Sequence, residues 1–208
     1  MKIVILKQDD LVYTLAWNNK NQLEYRLIED CRNLTYTVFM GKIVKLQAQN
    51  GLAWVNYTED KIGLLNLKHK QAVQCGSNIL CQMHWLGDNI KQPKLNSNIK
   101  LPGKYAILLH GTNEHHMAKN LIVTEGLQSL SQKYSAYGLI FRSSINNLVN
   151  LELVEQEIKE LINKSKSIDT MVNLAAPRIL LPGIPQYIQL LMNSEQGSDL
   201  EVITNDQN

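Results

Sequence analysis

Residues Gly51–Leu67 read GLAWVNYTEDKIGLLNL. Taken as a strand, the opening of this stretch puts Ala53, Val55 and Tyr57 on one side and Leu52, Trp54 and Asn56 on the other. Both sides carry large apolar groups, so Trp54 is either core in a doubly buried strand or an aromatic on the open face of a small barrel. A strand buried on both faces rarely carries an Asn and then runs into a solvated turn such as Thr58-Glu59-Asp60-Lys61. Around this hairpin lie further strand candidates: TVFMGKIVKL before it, NILCQMHWL after it, and the weaker KLNSNIKL. Five short strands with Gly-marked breaks predict a small closed or nearly closed barrel. In NILCQMHWL, Ile79, Cys81, Met83 and Trp85 alternate with Leu80, Gln82 and His84, which predicts one buried and one wetter face. The polar loop GDNIKQPK that follows carries Lys91 and Lys94.

Ahead of the barrel, KIVIL, DLVYTLAW and QLEYRLI read as three strands, the last two joined by the turn-rich NNKN, in a small sheet with no helix of its own. After Leu101-Pro102-Gly103 the pattern changes to a strand, KYAILL, a long polar loop, GTNEHHMAKN, a short helix around TEGLQSLSQKY and a strand, YGLIFRSS. Leu148, Leu151, Val154, Ile158, Leu161 and Ile162 then recur at helical spacing, with Glu152, Glu155, Glu157, Lys159 and Glu160 mostly on the other side. Pro177, Pro182 and Pro185 punctuate a loop before a shorter helix, IPQYIQLLMN, and a last strand, LEVIT. The apolar positions of that shorter helix suit either packing on the scaffold or a partner surface.

With 208 residues and 44% apolar content the chain can build a core. Its 21 Lys plus Arg against 19 Asp plus Glu leave a formal charge of +2. Any nucleic-acid site must therefore come from local clustering. Cys31, Cys75 and Cys81 have no C-x-x-C spacing, which argues for reduced thiols rather than disulfides or zinc. The apolar run in MKIVILKQDD is too short for a signal segment, and no later run reaches membrane-spanning length, so the expectation is a soluble, cytoplasmic protein without a membrane partner. His110, His115 and His116 lack helical metal-binding spacing. The acids are scattered: Glu59 and Asp60 in a turn, Glu152 to Glu160 on a helix, Asp199, Glu201 and Asp206 near the C-terminus. No convergent pair suggests a magnesium site, so no catalytic residue and no metal ligand is assigned.

The order of these segments resembles the N-terminal half of the bacterial ribonuclease E/G family. The resemblance rests on V-F-M-G-K-I-V-K-L, L-A-W-V-N-Y, I-G-L-L-N-L, the Lys91 loop, L-P-G-K-Y-A-I-L-L, G-L-I-F-R-S-S, A-P-R-I-L-L-P-G and L-E-V-I-T-N-D, and it covers nearly the whole chain. It implies an α+β protein: a five-stranded OB-type β-barrel inserted in a mixed α/β ribonuclease-H-like and 5′-sensor scaffold. Residues 1–35 would form the first part of the ribonuclease-H-like scaffold, 36–100 the RNA-binding barrel, 101–172 the 5′-sensor-like region and 173–208 the return segment of the scaffold. Trp54 then matches an aromatic that stacks on an RNA base. Leu64 stands where the family has a second stacking aromatic, and lacks its π face. Lys91 matches by position a loop cation that can neutralise a phosphate.

Arg142 and Ser143 match the family sensor's Arg and a neighbouring Thr. A guanidinium can fork onto phosphate oxygens and a Ser hydroxyl can donate to one, although an Arg at a strand end is also suited to a surface ion pair. Gly103 matches a Gly whose bare backbone approaches the RNA 5′ end, and Ile107 stands where a smaller apolar residue flanks the terminal nucleotide.

In that family catalysis belongs to a later deoxyribonuclease-like domain, whose acidic groups hold magnesium, and this sequence has no counterpart of it. The resemblance thus implies a single-stranded RNA-binding protein that senses 5′-monophosphate ends in RNA processing or decay, needs no cofactor and does not cut RNA by itself. The alternatives are a regulator that docks on a full-length ribonuclease, and a fragment of a ribonuclease E/G-type endoribonuclease.

Overall fold

The structure, a computed structural model, describes residues 2–30, 35–67, 73–88, 90–174, 176–193 and 201–205. Cys31, Asp199, Leu200 and Asp206 lie outside the described residues. Two compact units form, one from Met1–Leu34 with Ile184–Asn208 and one from Thr35–Gly183.

The chain opens with β1 (Lys2–Gln8), β2 (Leu11–Trp17) and β3 (Leu23–Asp30), an antiparallel meander. Gln8 pairs with Leu11 across a two-residue turn in which Asp9 adopts a φ of 53°, a left-handed conformation that Asp tolerates better than most residues. At the second turn the Asn18 side-chain oxygen accepts from the Lys20 and Gln22 N–H groups, which explains why the sequence places Asn there.

The second unit begins with a five-stranded barrel: β4 (Val38–Gln47), β5 (Leu52–Asn56), β6 (Ile62–Asn66), β7 (Asn78–Trp85) and β8 (Lys94–Asn96). The order around the wall is β4-β5-β6-β8-β7, and pairing of β4 with β7 closes it. Only the β6–β8 contact in the wall is parallel, so the barrel is mixed and OB-like. Phe39, Ile43, Ala53, Val55, Leu65, Cys81, Met83 and Leu95 fill the interior, where the Phe39 and Tyr57 rings meet edge to face at 5.0 Å. Burial pushes the Cys81 thiol up to about 12, so it stays protonated and inert; Cys75 is exposed.

Beyond the barrel come β9 (Lys100–Pro102), β10 (Ala106–Leu109), β11 (His115–Met117), α1 (Glu125–Lys133), β12 (Gly138–Phe141), α2 (Glu152–Met171) and β13 (Arg178–Leu181). The strands β11-β12-β10-β9 make a small mixed sheet. The apolar stripe of α2 buries Val154, Ile158, Leu161, Ile162 and Ile168 in a core shared with Leu108, Leu139 and Phe141 of that sheet. Val38 and Met40 of β4 join the same core, while Phe39 points into the barrel, so β4 is buried on both faces over Val38–Gly41. Thr124 caps α1 by accepting from the Leu127 N–H. Lys133 and Tyr134 of the α1 end both reach Glu155 of α2; with Lys159 they hold that carboxyl at about 2, well below the usual carboxylate range.

Several details depart from the sequence reading. The polar loop expected at GTNEHHMAKN contains β11. The Pro-flanked segment before the last helix contains β13, which pairs with β4, so residues 178–181 group with the barrel, and the first compact unit resumes at Ile184. The α2 stripe begins after Leu148 and runs on to Met171. Gln82, expected on the wetter face, is buried; its amide donates to the carbonyls of Tyr36 and Lys100 and accepts from the Lys100 N–H.

The chain then returns to the first unit with α3 (Gln186–Asn193) and β14 (Glu201–Thr204), which lies parallel to β1. The opening sheet thus has a helix after all: Tyr187 and Leu191 of α3 pack on Ile3, Ile5, Val12 and Ala16. Buried Glu29 accepts from the Gln186 N–H at 2.8 Å and so caps the first turn of α3. Among the described residues no helix is long and apolar enough to cross a membrane.

Candidate nucleic-acid interface

In β5 the alternation resolves cleanly. Ala53 and Val55 are fully buried in the barrel, and Leu52, Trp54 and Asn56 face outward, half-buried. Trp54 is therefore not a barrel-core residue. It stands directly opposite Leu64 on β6 and opposite Lys45 on β4, and residues paired across strands share a face. The exposed Lys45 ammonium lies over the indole, 4.7 Å from the ring centroid. A bulge in β4 between Ile43 and Lys45 sets this register.

Leu64 is in turn opposite Lys94 on β8, and its N–H donates to the Pro93 carbonyl. The β7–β8 loop that carries Lys91 is thereby tied to the same edge of the wall as Leu64. Lys91 itself is exposed, and its backbone is fixed by Asp88, whose carboxylate accepts from the Ile90 and Lys91 N–H groups at 2.8 and 2.7 Å. Those two bonds hold the Asp88 carboxyl below its ordinary range. The three residues assigned to RNA from the sequence thus come onto one face and its adjoining loop. Missing from that assignment were Lys45 and Lys94, whose places follow from cross-strand register.

The residues assigned to the 5′ end are arranged differently. Arg142 follows β12 directly and donates from Nη1 to the Gly103 carbonyl at 2.6 Å, so the two are adjacent. Ser143 is exposed at the start of a 3₁₀ turn, and Ile107 is half-buried on β10 opposite Ile140 and Pro102. Beside them, the N–H groups of Lys104, Tyr105 and Ala106 converge on one carboxylate, that of Glu157 on α2, at 2.6, 2.7 and 2.9 Å. A Cβ on Gly103 would run into that same carboxylate. The close approach that calls for a glycine at 103 is therefore made by Glu157. Three convergent N–H donors are the chemistry of an anion cradle, and here the chain's own side chain fills it.

The histidines are engaged elsewhere. His110 Nδ1 is 2.7 Å from Ser165 Oγ, and His115 bonds Ser131 Oγ and the Tyr137 carbonyl. Ser165 is buried, so the Ser165–His110 pair offers no accessible nucleophile. Among the described residues no three His, Cys, Asp or Glu side chains are grouped to hold a metal ion. No protein-family model matches the chain, and no curated protein matches it either.

Proposed function

We propose that the chain binds single-stranded RNA on the outer face of its barrel, as the non-catalytic N-terminal part of a ribonuclease E/G-like protein would. One observation carries the reading: Trp54 lies on the outer face, opposite Leu64, with the Lys45 cation over its ring. OB-like barrels take oligonucleotides on their second and third strands and on the loop between the fourth and fifth. Here those are β5 and β6, with Trp54 and Leu64, and the Lys91 loop. The Lys45 contact does not block stacking. An exposed cation–π contact is worth about 0.5–1 kcal/mol against about 1–3 kcal/mol for a stacked base, so a base displaces the ammonium, which moves to a phosphate.

The scaffold part of the reading draws support from the first unit, where three antiparallel strands are followed by a strand parallel to β1, in the order β14-β1-β2-β3. Sensing of a 5′-monophosphate is the second reading. The N–H cradle beside Arg142 favours it, and a phosphate would have to take the place that Glu157 holds.

Trp54→Ala decides the main reading. Fluorescence anisotropy with labelled single-stranded RNA should show binding weakened by about 1–3 kcal/mol, with the melting temperature little changed because the ring is outside the barrel core. Unchanged affinity, or no affinity in the unmutated chain, overturns it.

A further inference from the structure

Two tryptophan–lysine couples flank Leu64, and only one of them contains a residue that any reading above assigns. Followed through the register, the outer row runs Lys45, Trp54, Leu64, Lys94, Trp85 across β4, β5, β6, β8 and β7. Lys94 lies over the Trp85 ring at 5.7 Å, as Lys45 lies over Trp54 at 4.7 Å. Strict alternation along β7 would put Trp85 inside the barrel with Met83. A register shift between Met83 and Trp85 instead leaves His84 exposed and sets Trp85 opposite Lys94, whose neighbour Leu95 points into the core. A bulge that re-aims a side chain is a local cost with a local result, and the result here is an indole on the wet face.

We propose that Trp85 is a second base-stacking position of the same site and that Lys94 is its phosphate partner, so that bound RNA crosses the strands from Trp54 over Leu64 to Trp85. This rests on the reading of the barrel face as an RNA site. Three strand spacings of the closed wall separate the two indoles, about 14 Å followed along its curved surface, so the RNA bends round the barrel between them. That separation suits an extended strand whose bases are unstacked from one another. Leu64 lies between the two positions and offers apolar contact without a π face, so the rings of the row stand on β5 and β7. The four polar or aromatic members alternate cation and ring on either side of it. A base that stacks on either indole releases a lysine to the backbone phosphate next to it.

The test compares Trp54→Ala, Trp85→Ala and Lys94→Gln in binding to a single-stranded oligouridine long enough to span both positions. Trp85→Ala is expected to weaken binding roughly 5- to 150-fold, the range for loss of one stacked base, and Lys94→Gln to lower the slope of log affinity against log salt by about 0.7. In a Trp17→Phe, Trp54→Phe chain, where Trp85 is the only tryptophan, RNA should quench the emission with the midpoint seen by anisotropy. If Trp54→Ala weakens binding while Trp85→Ala binds like the unmutated chain and Trp85 emission ignores RNA, the second position does not exist and the proposed function stands. If the unmutated chain binds no single-stranded RNA, both fall together. Should Trp85→Ala not fold, the Lys94→Gln salt slope and the single-tryptophan quench decide, and an unchanged slope with no quench overturns the proposal.

Discussion

Glu157→Ala is expected to lower stability by about 3 kcal/mol and the melting temperature by roughly 6–12 °C. The carboxylate accepts from three successive N–H groups, those of Lys104, Tyr105 and Ala106. Hydrogen bonds to a charged group contribute about 1.5–3 kcal/mol each, but Glu157 is only half-buried and its three bonds share one anion, so the sum is well below three times that figure. Removal leaves N–H donors of the buried Tyr105 and Ala106 facing a void between the loop and α2. Glu157→Gln should cost less, since its amide oxygen can still accept from the Tyr105 and Ala106 N–H groups while its NH₂ faces only the Lys104 N–H. Thermal melts of both variants check the stability claim, and a shift under 2 °C for Glu157→Ala would sink it. The same variant tests the 5′-sensor reading. On that reading a phosphate displaces the resident carboxylate, so the unmutated chain should bind an RNA ending in a 5′-monophosphate more tightly than one ending in a 5′-hydroxyl, and equal affinities remove the reading. In Glu157→Ala the emptied cradle beside Arg142 should prefer the monophosphate about tenfold, the effect of one charge-assisted hydrogen bond. Absence of any preference in the variant removes the sensor reading and leaves the barrel face as it was.

Period-two patterning made the barrel strands legible, because Ala53, Val55 and Leu65 on one side and Asn56 on the other satisfy the same rule as any half-buried strand. It could not say which face Trp54 took in practice, since both faces of β5 carry large apolar groups. Register settles that, and register depends on partners some ten residues away at Lys45 and Leu64. Trp85 was misplaced by an alternation that is clean in the sequence and broken in the fold, because the register shift between Met83 and Trp85 leaves no mark in the order of polar and apolar residues. Strand β11 escaped notice for another reason: its three residues, His115, His116 and Met117, carry neither β-branching nor alternation, and they pair only because β12 offers an edge. Gly103 shows the limit for sites. A glycine in a loop announces a close approach, yet nothing local tells whether the approaching group is an RNA end or, as here, a carboxylate more than fifty residues on.

Gly41→Val should be more damaging to the barrel than any change on its surface. Gly41 lies in the middle of β4, the strand that pairs with β5 on one side and β7 on the other and so closes the wall. A Cβ there would overlap Val55 Cγ1 and lie 3.2 Å from the Asn56 carbonyl oxygen and 3.4 Å from Cys81 Sγ. The first of these belongs to a fully buried side chain and the second to backbone, so neither can retreat into open space. Overpacking of this kind costs about 1–3 kcal/mol where side chains can adjust and more where a strand must shift. Because Trp54 precedes Val55 on β5, the shift also carries the stacking ring with it, and RNA affinity should fall together with stability. Gly126→Ala is the control: its Cβ would meet only Leu151 Cδ1 at 3.4 Å and Thr124 Oγ1 at 4.0 Å, in the first turn of α1, where alanine should stabilise by up to about 1 kcal/mol. Melting curves of Gly41→Ala, Gly41→Val and the double variant Gly41→Ala with Val55→Ala separate the causes. Steric overlap with Val55 predicts that the double variant is less destabilised than the sum of its parts. Additive losses would instead place the strain at the Asn56 carbonyl, and a Gly41→Val chain that melts with the unmutated protein would show that β4 does not close the barrel as tightly as its register requires.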